Sequence, residues 1–382
     1  MTVDFESDGQ ASQGFSPAES TASGELSARS LADLMGLQTI LGGTSVVDQS
    51  RFWFQNRGDV DHFLRLCGFD TDNSLDVQRI QEIYHEAIDY LLEVHDYDLP
   101  TIITDSTDIH EVFLIASDTS NPLQPSACMV LKVMHVLHLL NGRELLFNIK
   151  ISEAELLDRI SGKVFRVIDR LRESGIEVNE FSSGKKTRDS ILTKLLARKL
   201  SQTTEIFDKR RFRLVLGSRT DLVNAIRYLS RELFPYNYVV PGQSENGILA
   251  LSDMAKAFDV SEDVIVRHWD EGEEEERGEG ILRAEANSYN EFSGSTYSCV
   301  SLVAEIPLRI DDLAPDQVPA IVFAETEIQL VDAATDIVNS TGENAHARYK
   351  ARQRARARER LYTAPPVSQQ FDLTMLETDK VS

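Results

Sequence analysis

Apolar residues recur at helical spacing through most of the first 150 residues of the chain. Residues 74–94 follow this pattern, which predicts a long amphipathic helix. The stretch 127–142 is apolar nearly all round and predicts a buried helix that ends at Asn141–Gly142. A shorter helix is predicted to end at Gly68. Together these patterns predict a mainly helical region over residues 29–150.

Helix and strand patterns alternate in the second half of the chain. Ser152 and Glu155 have the spacing of a capping box, which predicts a helix start. Further helices are predicted near Asp189 and after a cap at Thr220 or Asp221. β-Branched and aromatic residues predict strands at IEVNEF, FRLVLG, TYSCVSLVAEI and AIVFAETEIQLV. This order of elements predicts a mixed α/β domain with a mixed sheet flanked by helices.

The remaining segments lack either periodicity. Residues 1–28 are rich in Ser, Gly, Ala and acids, and they are predicted to be disordered, as is the tail 363–382. The stretch 236–292 contains DEGEEEERGEG, which predicts an exposed acidic insertion. A solvated loop is favoured there over a regulatory segment. The α/β domain is therefore expected to span residues 151–362 around this insertion.

Two carboxylates and an amide share one face of a predicted strand. Glu325, Glu327 and Gln329 recur at two-residue spacing, so their side chains point the same way. Like charges this close repel each other, which favours a positive group opposite them. A plain edge strand that pairs with lysines is the alternative, and it is preferred for Glu325.

Bulk composition is that of an ordinary soluble globular protein. Of 382 residues, 42% are hydrophobic and 26% charged. No run of eighteen apolar residues and no secretory signal pattern occurs, so no membrane association is expected. Three cysteines show no metal or disulfide spacing, which favours a reducing cytoplasm.

Charge is distributed unevenly along the chain. The net charge of −23 argues against a general nucleic-acid coat protein. Residues 184–213 nevertheless hold ten Lys/Arg against three acids, and residues 346–360 add seven Lys/Arg. These islands indicate local anion binding, with solvated helix faces as the alternative. For residues 346–360 the solvated face is favoured over an RNA contact.

Cations and acids in the α/β region have the composition of a polyphosphate site. Lys186, Lys194 and Arg213 can offset phosphate charge, and Asp208 and Glu327 are carboxylates of the kind that holds Mg²⁺. Phosphoryl-type transfer depends mainly on positioning and on charge stabilisation. A site for a metal-bound triphosphate is therefore expected where these segments meet.

Four segments of the second half resemble the RelA/SpoT-type alarmone synthetase family. GKKTRDSILTK resembles its G/R-x-K-x-x-x-S-I-x-x-K motif, IFDKRRFRLVL its I-x-D-x-x-x-x-R strand, and TDLVNAIRYLSRELFP its following helix. ETEIQLV resembles its E-I-Q-I-R-T segment, with AHARYK at the matching distance downstream. The matching positions are Lys186, Ser190, Ile191, Lys194, Asp208, Arg213, Glu327, Gln329, His346, Tyr349 and Lys350.

This resemblance implies a nucleotidyltransferase-like sheet and a transfer of pyrophosphate from ATP to the 3′-hydroxyl of GDP or GTP. It implies that Asp208 holds Mg²⁺ and that Glu327 holds the metal or acts as general base. Tyr297 would stack on the guanine. The residues that it implicates in nucleotide binding are Lys186, Ser190, Lys194, Arg213, Tyr297 and Gln329.

The chain departs from the family pattern at three positions. Gly184 replaces a basic residue, Val331 replaces an arginine, and Ser301 stands where a histidine is expected. Two alternatives therefore stay open beside alarmone synthesis. One is a catalytically inactive nucleotide-binding regulatory module, and the other is a pyrophosphotransferase with another acceptor such as tRNA.

Histidines of the first half carry weaker signals. His95–Asp96 has the dyad of an HD metal hydrolase, but no further histidine or aspartate has the required spacing. His135 and His138 lie on one face of an apolar helix, which is more typical of packed core residues than of metal ligands.

Overall fold

The computed structural model describes residues 25–184, 188–197, 210–269, 297–317, 319–341 and 346–361. Its helices are α1 (Ala28–Gly42), α2 (Arg57–Leu66), α3 (Ser74–His95), α4 (Thr101–Thr104), α5 (Ile109–Ser117), α6 (Gln124–Asn148), α7 (Glu153–Glu173), α8 (Arg188–Ala197), α9 (Arg219–Glu232), α10 (Leu251–Phe258), α11 (Glu262–Trp269), α12 (Ala333–Ser340) and α13 (His346–Leu361). Its strands are β1 (Val178–Gly184), β2 (Arg210–Leu216), β3 (Glu245–Asn246), β4 (Val300–Arg309) and β5 (Ile321–Asp332). The prediction of a mixed α/β fold with a helical amino-terminal region is confirmed.

The described strands form one sheet in the order β1-β2-β5-β4-β3. β2 runs parallel to β5, and the other neighbours are antiparallel. Strands β2 and β5 are joined by more than a hundred residues, which a parallel connection of this kind allows. Their register places Arg211 beside Glu327 and Arg213 beside Gln329.

The two faces of the central strands differ in character. Thr326, Ile328 and Leu330 of β5 are buried on one face. They belong with Phe212 and Leu214 of β2 to a side on which the main hydrophobic core forms with α1, α7 and α9. Odd-numbered residues of β2 and β5 point to the opposite face because strand side chains alternate. That second face carries the polar residues.

Part of this second face is covered by the amino-terminal helices. Ile321 and Phe323 at the start of β5 join a separate hydrophobic core built by α2, α3, α5 and α6. The next residues on the same face are Glu325, Glu327 and Gln329. The polar stretch of β5 therefore begins where the helical core ends.

Helix α6 corrects the prediction of a helix end at Asn141–Gly142. The helix continues through both residues to Asn148. A Cβ atom at Gly142 would lie 2.4 Å from Phe323 Cε2 and 3.0 Å from the carbonyl oxygen of Ile321. The glycine serves close packing of α6 on β5, which sequence patterns do not separate from a helix stop.

Two further sequence expectations differ from the structure. Helix α9 is capped by Ser218, whose hydroxyl accepts a hydrogen bond from the Asp221 amide, and not by Thr220 or Asp221. The stretch 236–292 was expected to be an exposed insertion, but residues 236–269 fold as a short 3-10 helix, β3, α10 and α11. Phe258 and Ile265 of this stretch are fully buried. The acidic run itself lies outside the described residues.

The chain divides into two compact units. The first comprises 1–184, 210–288 and 298–337, and it holds both the amino-terminal helices and the sheet. The second comprises 185–209, 289–297 and 338–382. In the second unit α8 packs against α13, and Arg360 donates a hydrogen bond to the carbonyl oxygen of Leu196. None of the described helices has the length and apolar character needed to cross a lipid bilayer.

Candidate functional site on the polar face of the sheet

Arg211 and Glu327 form a bidentate ion pair between neighbouring strands. The Arg211 Nε atom lies 3.0 Å from Glu327 Oε2, and Nη2 lies 2.9 Å from Glu327 Oε1. The Glu327 side chain is only 12% exposed, whereas that of Arg211 is 40% exposed. Bidentate geometry fixes the plane of both groups. The pair therefore holds a largely buried carboxylate under an accessible guanidinium.

Two neutral side chains extend this arrangement. Gln329 Nε2 donates to Glu327 Oε1 at 3.0 Å, and Ser301 Oγ lies 3.5 Å from the same oxygen. Ser301 is on β4, opposite Gln329 in the sheet. Three adjacent strands thus supply hydrogen-bond donors to Glu327. We name the group formed by Arg211, Arg213, Ser301, Glu327 and Gln329 the polar-face cluster.

Arg213 is also paired with an acid. Its Nη2 atom contacts the Asp336 carboxylate of α12, and both side chains are about one quarter exposed. Asp332 positions α12, since its carboxylate accepts hydrogen bonds from the Ala334 and Thr335 amides. Each arginine of the cluster is therefore held in place by a carboxylate and stays open to solvent on one side.

Glu325 has a different environment from Glu327. Its Cα pairs with that of Glu305 on β4, so two acids lie directly opposite each other. Arg143 of α6 lies 3.7 Å from Glu305 and offsets part of this charge. The two carboxylates that share a face in the sequence thus meet different partners.

The described residues do not fit a magnesium site as they stand. Both carboxylate oxygens of Glu327 accept hydrogen bonds from Arg211. No group of three or more His, Cys, Asp or Glu residues in the described part of the chain could hold a metal ion. Mg²⁺ requires free carboxylate oxygens at short distance. Glu327 could contribute one only after Arg211 moves away.

The predicted site residues fall into three groups. Glu327, Gln329 and Arg213 lie side by side on β5 and β2. Ser190 and Lys194 lie on α8, and Tyr297 precedes β4 by three residues; all three belong to the second unit. Lys186 and Asp208 lie outside the described residues. The metal site formed by Asp208 and Glu327 therefore stays a prediction.

Sequence reasoning overlooked three members of this region. Arg211 had been assigned only to a basic run, Ser301 only to a departure from a motif, and Asp336 to nothing. The signal for Arg211 was its two-residue spacing from Arg213 on a predicted strand. The pairing partner of a strand is not encoded locally, so Glu327 could not be assigned to it.

Comparison with known proteins gives one distant similarity. The structure resembles the crystal structure of small alarmone synthetase 2 from Bacillus subtilis, with a TM-score of 0.30 and 14% sequence identity, over 58% of this chain and 91% of that chain. A similarity at this level supports neither a shared activity nor shared site residues. No protein-family model and no curated protein sequence matches the chain.

Proposed function

We propose that the chain binds a nucleotide polyphosphate against the polar-face cluster and transfers pyrophosphate from ATP to a nucleotide 3′-hydroxyl. The observation that carries this proposal is the register of β2 and β5, which sets two guanidinium groups beside Glu327 and Gln329. Arginine donates paired hydrogen bonds to phosphate oxygens and keeps its charge at neutral pH. The motif resemblance supplies the reaction and the acceptor, GDP or GTP.

In this proposal Arg211 and Arg213 exchange their carboxylate partners for phosphate oxygens. Glu327, once released by Arg211, accepts the proton of the attacking hydroxyl. The hydroxyl oxygen then forms a bond to the β-phosphorus of ATP, and the bond from that phosphorus to the oxygen of AMP breaks. The motif resemblance assigns Mg²⁺ to Asp208 with Glu327, and nucleotide contacts to Lys186, Ser190, Lys194, Tyr297 and Gln329.

Nucleotide binding without turnover is the second candidate function. It is favoured by the bidentate Arg211–Glu327 pair, because that pair occupies both oxygens of the proposed base. A carboxylate already neutralised by an arginine is a poor proton acceptor. Under this candidate the arginines would still recognise phosphate, and the chain would act as a regulatory module.

The first experiment separates transfer from binding. Full-length protein is incubated with ATP labelled on its β- and γ-phosphates, Mg²⁺, and GDP, GTP or bulk tRNA in separate reactions. Transfer predicts labelled acceptor together with an equal amount of AMP. Titration calorimetry with ATP under the same conditions measures binding independently.

The outcomes assign the function without overlap. Labelled GDP or GTP supports alarmone-like synthesis, and labelled tRNA alone supports transfer to another acceptor. Saturable ATP binding with no labelled product supports the regulatory module. Absence of binding and of product would contradict both candidates.

A further inference from the structure

A pocket opens in the helical core of the first unit, on elements that take no part in the polar-face cluster. Including its mouth, it encloses about 490 Å³. Its walls come from α2, α3, α5 and α6, and from the 3-10 helix Tyr236–Tyr238. The lining is aromatic and aliphatic apart from a few groups, with Phe52, Phe63, Phe69, Phe113, Ile83 and Met134 among its apolar members.

Close packing makes such a space unusual in a helical core. Protein interiors leave few voids larger than a water molecule. Ligand pockets, by contrast, are commonly 300–1,000 Å³ and mostly apolar with few polar groups. The volume and lining of this pocket match the second description.

One polar atom on the pocket wall lacks a partner. Asn237 lines the pocket and is 7% exposed, and its Nδ2 atom donates to His135 Nδ1 at 3.1 Å. Its Oδ1 atom has no hydrogen-bond partner among the described residues. A buried carbonyl oxygen without a donor is costly, and most are satisfied. The pocket thus presents an acceptor that awaits an N–H or O–H group.

The two histidines of the wall are uncharged. Burial lowers the pKa of His135 to about 3 and that of His138 to about 4. His138 Nε2 donates to the Cys67 carbonyl oxygen at 3.1 Å, which fixes its proton on that atom. No Lys, Arg, Asp or Glu lines the pocket. Charged ligands therefore meet no counter-charge there.

We propose that this pocket binds a small neutral molecule with an apolar ring and one hydrogen-bond donor, which pairs with Asn237 Oδ1. The walls supply apolar contact for the ring, and the unpaired amide oxygen selects for the donor. Phenol has these features, and toluene has the same shape without the donor. The pair of probes therefore tests the shape and the acceptor separately.

The binding test uses NMR of the full-length protein labelled at its methionine methyl groups. The chain has six methionines, so each signal can be assigned by substitution. Met134 lines the pocket, whereas Met129 on the same helix does not. Phenol is expected to shift the Met134 signal saturably and to leave Met129 unchanged. Toluene is expected to bind about tenfold more weakly.

Three variants decide the assignment. Asn237→Leu is expected to remove the preference for phenol and to retain toluene binding, whereas Asn148→Leu, at the exposed end of α6, keeps the preference. Ile83→Phe is expected to fill the space and abolish both. If either core variant unfolds, as judged by circular dichroism, the phenol–toluene comparison in the unaltered protein still decides. No saturable shift of Met134, as for a pocket that holds only water, or equal affinity for both probes, overturns the proposal.

Discussion

Arg211 and Glu327 lie opposite one another on parallel strands, although 116 residues separate them in the chain. The arginine is exposed enough to meet a ligand, and the glutamate is nearly buried beneath it. A carboxylate in that position needs its partner, because an unpaired charge away from water is costly. The pair is therefore both a structural element of the sheet and the gate to any chemistry at Glu327.

The first prediction concerns the strength of this pair. Arg211→Gln and Glu327→Gln should each lower the free energy of unfolding, and the double variant should lose less than the sum. We expect a coupling of about 1–2 kcal/mol, between the values typical of exposed and buried pairs. Urea unfolding followed by circular dichroism measures it.

An exposed pair provides the control for this cycle. Arg172 and Asp169 on α7 lie 3.3 Å apart, with side chains 44% and 69% exposed. The corresponding cycle should give a coupling below about 0.5 kcal/mol because water screens both charges. Equal coupling at the two sites would show that the Arg211–Glu327 pair has no special role in the sheet.

The second prediction concerns ATP affinity at Arg213. Asp336→Asn should tighten ATP binding a few-fold, since it removes a carboxylate that competes with phosphate for the guanidinium. Arg213→Ala should weaken binding by about tenfold through loss of a charged hydrogen bond. Calorimetry with ATP measures both, with Arg172→Ala as the unaffected control. Opposite signs for the two variants of the cluster would exclude Arg213 as a phosphate ligand.

The third prediction separates catalysis from binding at Glu327. If Glu327 is the general base, Glu327→Gln should lower the transfer rate at least about 100-fold and change ATP affinity little. The amide keeps the shape and can still accept a hydrogen bond from Arg211. Initial rates of AMP release measure the effect. An unchanged rate would remove Glu327 from the reaction while leaving nucleotide binding intact.

The fourth prediction compares two glycines within helices. Gly142→Ala should destabilise the protein by about 1–3 kcal/mol, because the added methyl group overlaps the Phe323 ring. Gly162→Ala in α7 meets only the flexible end of Arg166 at 3.6 Å, so helix propensity should stabilise it by up to about 1 kcal/mol. Thermal unfolding of both variants measures the difference. The same sign at both positions would contradict the close packing of α6 on β5.

The fifth prediction concerns acid sensitivity at His138. Burial lowers the pKa of His138 to about 4, below its value of 6.5 in an unfolded chain, so between these values the unfolded state binds more protons. Its contribution is therefore complete above pH 6.5 and is lost as the pH falls towards 4. His138→Gln should reduce the slope of stability against pH in this window by up to about 1.4 kcal/mol per pH unit. Urea titrations at several pH values measure it.

His85 provides the comparison for that measurement. It lies on the exposed face of α3, where water surrounds its side chain. His85→Gln should leave the slope unchanged, and contributions from all carboxylates cancel between the variants. A slope that His138→Gln also leaves unchanged would mean that the ring is protonated without unfolding.

Local patterns predicted most helices and strands because each depends on neighbouring residues. The periodicity of α3 and the β-branched content of β2 and β5 led to elements close to those observed. The same patterns misjudged Gly142, whose role depends on a ring almost two hundred residues away. They also treated residues 236–269 as solvated, since an adjoining acidic run obscured two short amphipathic helices.

The candidate site was less predictable for the same reason. Glu327 and Arg213 were singled out by spacing, but the neighbour that controls Glu327 is Arg211. Which strands pair, and in which register, depends on contacts between distant segments. The opposition of Glu325 and Glu305 across β4 and β5 is a further contact of this kind.

The alternation of β2 has a consequence for how the sheet assembles. Displacing β2 by one position along β5 would require Phe212 and Leu214 to enter water and two guanidinium groups to enter the apolar interior. Such a misaligned intermediate would be strongly disfavoured. The charged pair thus safeguards the correct alignment of two strands that the chain brings together only late in synthesis, whether or not a nucleotide is ever bound.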